Sequence, residues 1–194
     1  MKVCFFGGTF DPPHIGHLII AQYIMEWGSF DKIIFIPSFK PPHKINNISS
    51  QIHRINMLKL IIKNKKFFQL SLIDIEREGV TYTIDTIREL KKKYISQEKI
   101  FFLVGSDSIF DFEKWKDYKL ILNECQIIVA PRPRFLIEKI PQKILSKIII
   151  PNIPMFDISS SEIKNRINQG LPINYFVTKQ IEDYIFSKDL FNGT

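Results

Sequence analysis

Lys-Val-Cys-Phe-Phe-Gly-Gly-Thr-Phe-Asp-Pro-Pro-His-Ile-Gly-His occupies residues 2–17. A short apolar run ends in Gly7 and Gly8, the chain crosses a turn, and His14 and His17 open what reads as a helix. Strand, glycine turn and helix N-terminus in that order form a phosphate cradle in α/β proteins. The glycines let backbone come close to a ligand, their N–H groups can face anionic oxygens, and the helix dipole adds positive potential. The i, i+3 spacing puts both imidazoles on one face of the first turn. Two donors there can hold a phosphate and stabilise charge during its transfer. Gly16, between them, leaves room for a flat nucleobase to approach the helix backbone. The alternative reading of the same residues is a plain helix N-cap with two incidental histidines.

Outward from this stretch, short apolar runs alternate with segments of helix length. Strands are expected at residues 3–6, 32–37, 68–72, 99–104, 126–130 and 147–150. Ile33-Ile34-Phe35-Ile36 and Ile127-Ile128-Val129-Ala130 show no polar alternation, the pattern of strands buried on both faces of a parallel sheet. Helices are expected at 15–27, 51–63, 83–94, 108–111 and 119–124. The order predicts an α/β fold, a doubly wound, Rossmann-like and mostly parallel sheet with helices on both faces. After about residue 155 the pattern turns helical, at 159–169 and 177–186, with Gly170 and Pro172 between. With no repeat and no linker, residues 1–194 read as one domain, an α/β core over 1–155 and a helical C-terminal part over 156–194.

A chain of 194 residues that is 45% hydrophobic can bury one well-covered core. It has no apolar run of membrane-spanning length and its first residues lead directly into a strand pattern, so no membrane span and no cleaved signal peptide are expected. Cys4 and Cys125 lie in apolar strand-like contexts and read as buried free thiols of a cytoplasmic protein. The net charge of +7 points to anionic partners. Lys63-Asn64-Lys65-Lys66 and Lys91-Lys92-Lys93 border apolar periodic segments and read as solvated helix ends. Small phosphate-bearing substrates suit this charge as well as a nucleic acid does.

Three further constellations carry chemistry. Residues 37–44, Pro-Ser-Phe-Lys-Pro-Pro-His-Lys, follow the second strand at the sheet edge where open α/β proteins bind ligands, and Lys40 and Lys44 can reach phosphates. Tyr82-Thr83-Ile84-Asp85-Thr86 opens a helix, with Gly105-Ser106-Asp107 after a strand and Trp115 beyond. A carboxylate after a strand glycine accepts hydrogen bonds from a ribose, a tryptophan stacks on a ring, and Thr83 at a helix start can bond a small anion. Helix capping accounts for Thr83 equally well, and core packing for Trp115. Ile158-Ser159-Ser160-Ser161-Glu162-Ile163-Lys164 reads either as a capped helix start or as a phosphate clamp.

Taken together, these residues resemble the nucleotidyltransferase superfamily with a His-x-Gly-His signature, and within it the bacterial nicotinate-mononucleotide adenylyltransferase family. That family opens with Gly-Gly-Thr-Phe-Asp-Pro-x-His-x-Gly-His, matched from Gly7 to His17. It carries Pro-Pro-His-(Lys/Arg), matched at residues 41–44, and Tyr-Thr-x-Asp-Thr, matched at residues 82–86. It also has Gly-x-Asp with a later Trp, an Arg-Pro after a strand (Arg132-Pro133), and Ile-Ser-Ser-Thr-x-Ile-Arg near the end. The resemblance spans nearly the whole chain and implies transfer of AMP from ATP to nicotinate mononucleotide.

It further implies catalytic roles for His14, His17 and Lys44. ATP contacts fall to Gly7, Gly8, Thr9, Phe10, Gly16, Gly105, Asp107, Arg132, Ser159, Ser160, Ser161 and Lys164. Acceptor contacts fall to Tyr82, Thr83, Trp115 and Lys116. Mg²⁺ is expected on the ATP phosphates and water, with no dedicated protein cage. Neither nucleic acid nor membrane is an expected partner, and a homo-oligomer is left open. Other acceptors (nicotinamide mononucleotide, phosphopantetheine or FMN) and a non-catalytic nucleotide- or nucleic-acid-binding protein are the alternatives. The chain departs from the family at Ser161 and Lys164, which replace Thr and Arg, at Lys116, where an aromatic residue is common, and at Arg134, where glycine is usual. At residue 164 a bidentate guanidinium becomes a point charge, with Arg166 the nearest guanidinium along the helix.

Overall fold

The computed structural model describes residues 1–40, 48–94, 99–133 and 136–192. Six strands, Val3–Gly8 (β1), Lys32–Pro37 (β2), Phe68–Leu70 (β3), Phe101–Gly105 (β4), Gln126–Ala130 (β5) and Ile148–Ile149 (β6), form one sheet in the order β3-β2-β1-β4-β5-β6. Every pairing is parallel. The chain winds outward from β1 in one direction and then, starting at β4, in the other. A crevice therefore opens at the carboxyl ends of β1 and β4, the topological switch point where such sheets take ligands.

The unbroken apolar runs are explained by burial on both faces. Cys4, Phe6, Ile33, Phe35, Leu103 and Ile128 face helices Ile15–Trp27 (α1) and Gln51–Ile62 (α2), together with the last two helices, Ser160–Asn168 (α7) and Lys179–Ser187 (α8). Val3, Phe5, Ile34, Phe102, Val104 and Ile127 face the other way. They meet Ile73–Arg77 (α3), Thr83–Lys93 (α4), Tyr118–Glu124 (α5) and Gln142–Leu145 (α6). The C-terminal helices thus complete one face of the sheet. Among the described residues no helix is long and apolar enough to cross a membrane, and both cysteines are buried and free.

Three local expectations need correction. The helix expected at 108–111 is replaced by two short 3₁₀ turns, Ser106–Ser108 and Phe112–Lys114. The tighter turns bury Ile109 and Phe112. Helices α3 and α6 were not anticipated, since five and four residues are too few to carry a helical period. Strand β3 ends at Leu70 instead of 72 because the chain turns there into α3.

Candidate active site

Strand β1 delivers its two glycines to the crevice, and the loop beyond them folds back on the core. Phe10 has φ 52° and is 2% exposed, so a bulky residue is held in the left-handed region by packing against Phe6, Phe35 and His17. A Cβ on Gly8 would lie 2.9 Å from the Phe10 ring, which is why the turn needs glycine there. At Gly16 the missing Cβ makes room for the His14 imidazole, 3.0 Å from where it would sit, and for Ile158. The space attributed from sequence to a nucleobase is thus shared with the protein's own side chains.

His14 is the N-cap residue of α1 and is 1% exposed. Its ring lies 3.7 Å, centroid to centroid, from that of His17. Burial, reinforced by the positive charge of Arg132, holds the His14 pKa down to about 3. Burial, then His14 and Arg132, push His17 well below the usual imidazole value. Both rings are therefore neutral at physiological pH. The His14 backbone N–H donates to Nδ1 of His17 at 3.1 Å. In the neutral tautomer this leaves the His17 proton on Nε2, available as a donor. Both ring nitrogens of His14 are buried without a partner, as are Asp11 Oδ1 and Ser38 Oγ. Unmet polar atoms of this kind are rare in folded cores and cluster where a ligand completes the bonding.

Arg54 is a residue that the motifs did not flag. It is 1% exposed on α2, and its guanidinium donates to four loop carbonyls. Nη1 reaches Thr9 O at 3.0 Å and Ser38 O at 2.7 Å, Nη2 reaches Phe39 O at 3.0 Å, and Nε reaches Ser49 O at 3.2 Å. Burial lowers its pKa and the nearby Asp11 opposes that shift. A signal existed in the sequence: Arg54 lies on the same helical stripe as Leu58 and Ile61, an unusual place for a charge.

The C-terminal helix α7 closes the other side of the turn. Ser159 caps it, accepting from the Glu162 N–H at 3.1 Å, while the Ser160 hydroxyl donates to Pro12 O at 2.8 Å. Ser161 is exposed in the first turn. Lys164 sets its ammonium 2.5 Å from Asp11 Oδ2 and 4.8 Å from the centre of the Phe191 ring. Asp11 Oδ2 also accepts from the Ser49 N–H at 3.1 Å. Arg166 points elsewhere, donating to Pro172 O at 3.0 Å and stacking on Phe176. It therefore does not duplicate Lys164.

At the far side of the crevice, Gly105 ends β4 and Asp107 follows in an exposed turn. Tyr82, not Thr83, is the N-cap residue of α4, so capping does not explain Thr83. Thr86 is buried and donates to Asp74, which also pairs with Arg77 at 2.7 Å, fastening α4 to α3. Trp115 is half-buried and packs on Phe112 with ring centroids 5.0 Å apart. The neighbouring Lys116 places its ammonium 3.2 Å from Asp85 and 4.6 Å from the Tyr82 ring. Lys44, with the rest of 41–47, lies outside the described residues, as does Arg134.

Residues 5–166 match the model of the Cytidylyltransferase-like family, and the chain belongs to that class of nucleotidyltransferases. It is 39% identical over 98% of its length, and 99% of the relative's, to the "Probable nicotinate-nucleotide adenylyltransferase" of Caldicellulosiruptor bescii. It is 37% identical, over 99% of each chain, to the nicotinate-nucleotide adenylyltransferase of Bacillus subtilis. Similarity at this level over the whole length makes it a member of the nicotinate-nucleotide adenylyltransferase family. Among solved structures, Plasmodium falciparum nicotinic acid mononucleotide adenylyltransferase complexed with NaAD superposes with a TM-score of 0.82 at 25% identity, covering 98% of this chain and 97% of that one.

Proposed function

We propose that this chain transfers AMP from ATP to nicotinate mononucleotide, releasing pyrophosphate and forming deamido-NAD in NAD biosynthesis. The observation that carries the reading is the neutral pair of buried His14 and half-buried His17 at the N-terminus of α1, with both His14 ring nitrogens unpartnered at the switch point of the sheet. An acceptor phosphate oxygen attacks the α-phosphorus of ATP in line and the bond to the β-phosphate oxygen breaks. No covalent enzyme intermediate is needed, so positioning and charge stabilisation do the work. His14 and His17 donate hydrogen bonds to the phosphates, and the glycine turn, Thr9 and the Ser160–Asn168 helix start flank them. Neutral donors suit this task because they meet charge as it grows without drawing the phosphates into a tight ground-state ion pair. Arg132 supplies the positive charge near the pair.

Asp107 is assigned to the adenosine ribose, and Thr83, Trp115 and their neighbouring N–H groups to the nicotinate ring and its carboxylate. Among the described residues no group of three or more His, Cys, Asp or Glu side chains is arranged to hold a metal ion. Mg²⁺ enters with the nucleotide substrate, held by its phosphate oxygens and water. A cytoplasmic location fits these substrates.

Initial rates of pyrophosphate release with ATP and either nicotinate or nicotinamide mononucleotide test the assignment. Faster turnover of the acid is expected, because a site offering donors to a carboxylate meets an N–H₂ on the amide. Faster turnover of the amide overturns the acceptor assignment.

A further inference from the structure

We propose that residues 38–40 are a strap that holds the nucleotide half of the site in register with the acceptor half, with Arg54 and Thr81 as its positioning anchors; this rests on the assignment of the two halves given above. On the nucleotide side, the Ser38 N–H donates to Gly8 O at 3.0 Å. Arg54 then ties Thr9 O to the carbonyls of Ser38 and Phe39 through one guanidinium. On the acceptor side, Thr81 Oγ1 accepts from the Phe39 N–H at 2.9 Å and from the Lys40 N–H at 3.4 Å. The Thr81 N–H returns a bond to Lys40 O at 3.0 Å, and Lys40 and Val80 form an isolated parallel bridge. Thr81 is 9% exposed and immediately precedes Tyr82 and Thr83.

One segment of three residues is thus bonded to the glycine turn on one side and to the start of α4 on the other. Each of the four Arg54 bonds goes to a loop carbonyl. Core packing alone does not ask for a buried guanidinium, whose desolvation is expensive and which an apolar residue of similar volume can often replace without loss of stability. What four directed bonds supply is fixed geometry. In-line transfer between two bound molecules needs that geometry, since a misplacement of about 1 Å costs on the order of a hundredfold in rate. Arg54 and Thr81 touch neither reacting atom and act through the strap. They are positioning residues.

The test compares wild type with Thr81→Val, which keeps shape and removes the hydroxyl, Thr81→Ser, which keeps it, and Arg54→Lys, which keeps charge but not the fork. Thr81→Val is expected to lower kcat about tenfold, the loss of roughly one buried hydrogen bond's worth of alignment. The KM for each substrate should stay within about threefold, because each half-site remains intact alone. Calorimetry should show that a non-reactive ATP analogue tightens nicotinate mononucleotide binding to wild type, and that Thr81→Val weakens this coupling reciprocally. Thr81→Ser should restore both, and Arg54→Lys should repeat the valine signature. Unchanged kcat in Thr81→Val, or a loss confined to the acceptor KM, overturns the strap. If Arg54→Lys does not fold, the two threonine variants still decide. A wild type that turns over another acceptor but not nicotinate mononucleotide overturns the function reading instead, and the kcat–KM split measured with that acceptor then judges the strap separately.

Discussion

Replacing Lys164 with Met keeps an aliphatic stem and removes the ammonium that faces Asp11 and the Phe191 ring. The Asp11 side chain is 4% exposed and that of Lys164 21%, so the pair lies between the two limits usually measured. Removing one partner of a fully buried pair costs about 3–5 kcal/mol, and an exposed pair is worth about 0–1 kcal/mol. After the substitution, Asp11 keeps one hydrogen bond, from the Ser49 N–H, and the more distant field of Arg54. A loss of about 2–3 kcal/mol is expected. For a chain of this length that lowers Tm by about 5–10 °C. Urea and thermal unfolding without nucleotide provide the assay, isolating the Asp11 pairing from any contact with ATP. Asp11→Asn in the Lys164→Met background should recover about half of the loss, because the uncompensated charge is then gone. A Lys164→Met protein within 1 kcal/mol of wild type, or no recovery in the double variant, would refute a role for this pair in fastening α7 to the glycine turn.

Two further outcomes follow from the histidine pair. His17→Ala should lower kcat on the order of a hundredfold, about 3 kcal/mol of transition-state stabilisation, while moving the ATP KM only several-fold; an unchanged kcat sinks its assignment as a donor. Because the folded-state pKa of His14 is held near 3, below about pH 6.5 the unfolded chain binds a proton that the folded chain refuses, and stability falls as the pH falls. Between pH 7 and pH 5 His14 alone removes about 2 kcal/mol, with His17 acting in the same direction. Urea titrations at the two pH values should show this slope, and His14→Gln should reduce it. Equal slopes in both proteins contradict a buried, neutral His14.

Local chemistry made the Gly7–His17 turn legible in the sequence, since strand, glycines and i, i+3 histidines are all encoded within sixteen neighbouring residues. The unbroken apolar runs likewise announced a sheet covered on both faces, because a strand buried twice has no polar side to show. The paired serines before Lys164 were legible only as a choice between cap and clamp. Tertiary structure assigned Ser159 to the cap, Ser160 to the Pro12 carbonyl and Lys164 to Asp11. The partners of Ser160 and Lys164 lie about 150 positions away, beyond any local pattern.

The same distance in sequence hid the connections that hold the two halves of the site. No sequence motif singles out Arg54 or Thr81. Only folding brings the guanidinium to the carbonyls of Thr9, Ser38 and Phe39, and the hydroxyl to the N–H groups of Phe39 and Lys40. By itself the sequence determined the sheet, the glycine turn and the histidine pair, because hydrophobic period and turn chemistry are properties of neighbours along the chain. Tertiary structure decided which buried polar groups are bonded and which stay unmet, because desolvation and hydrogen-bond geometry exist only once distant segments pack together.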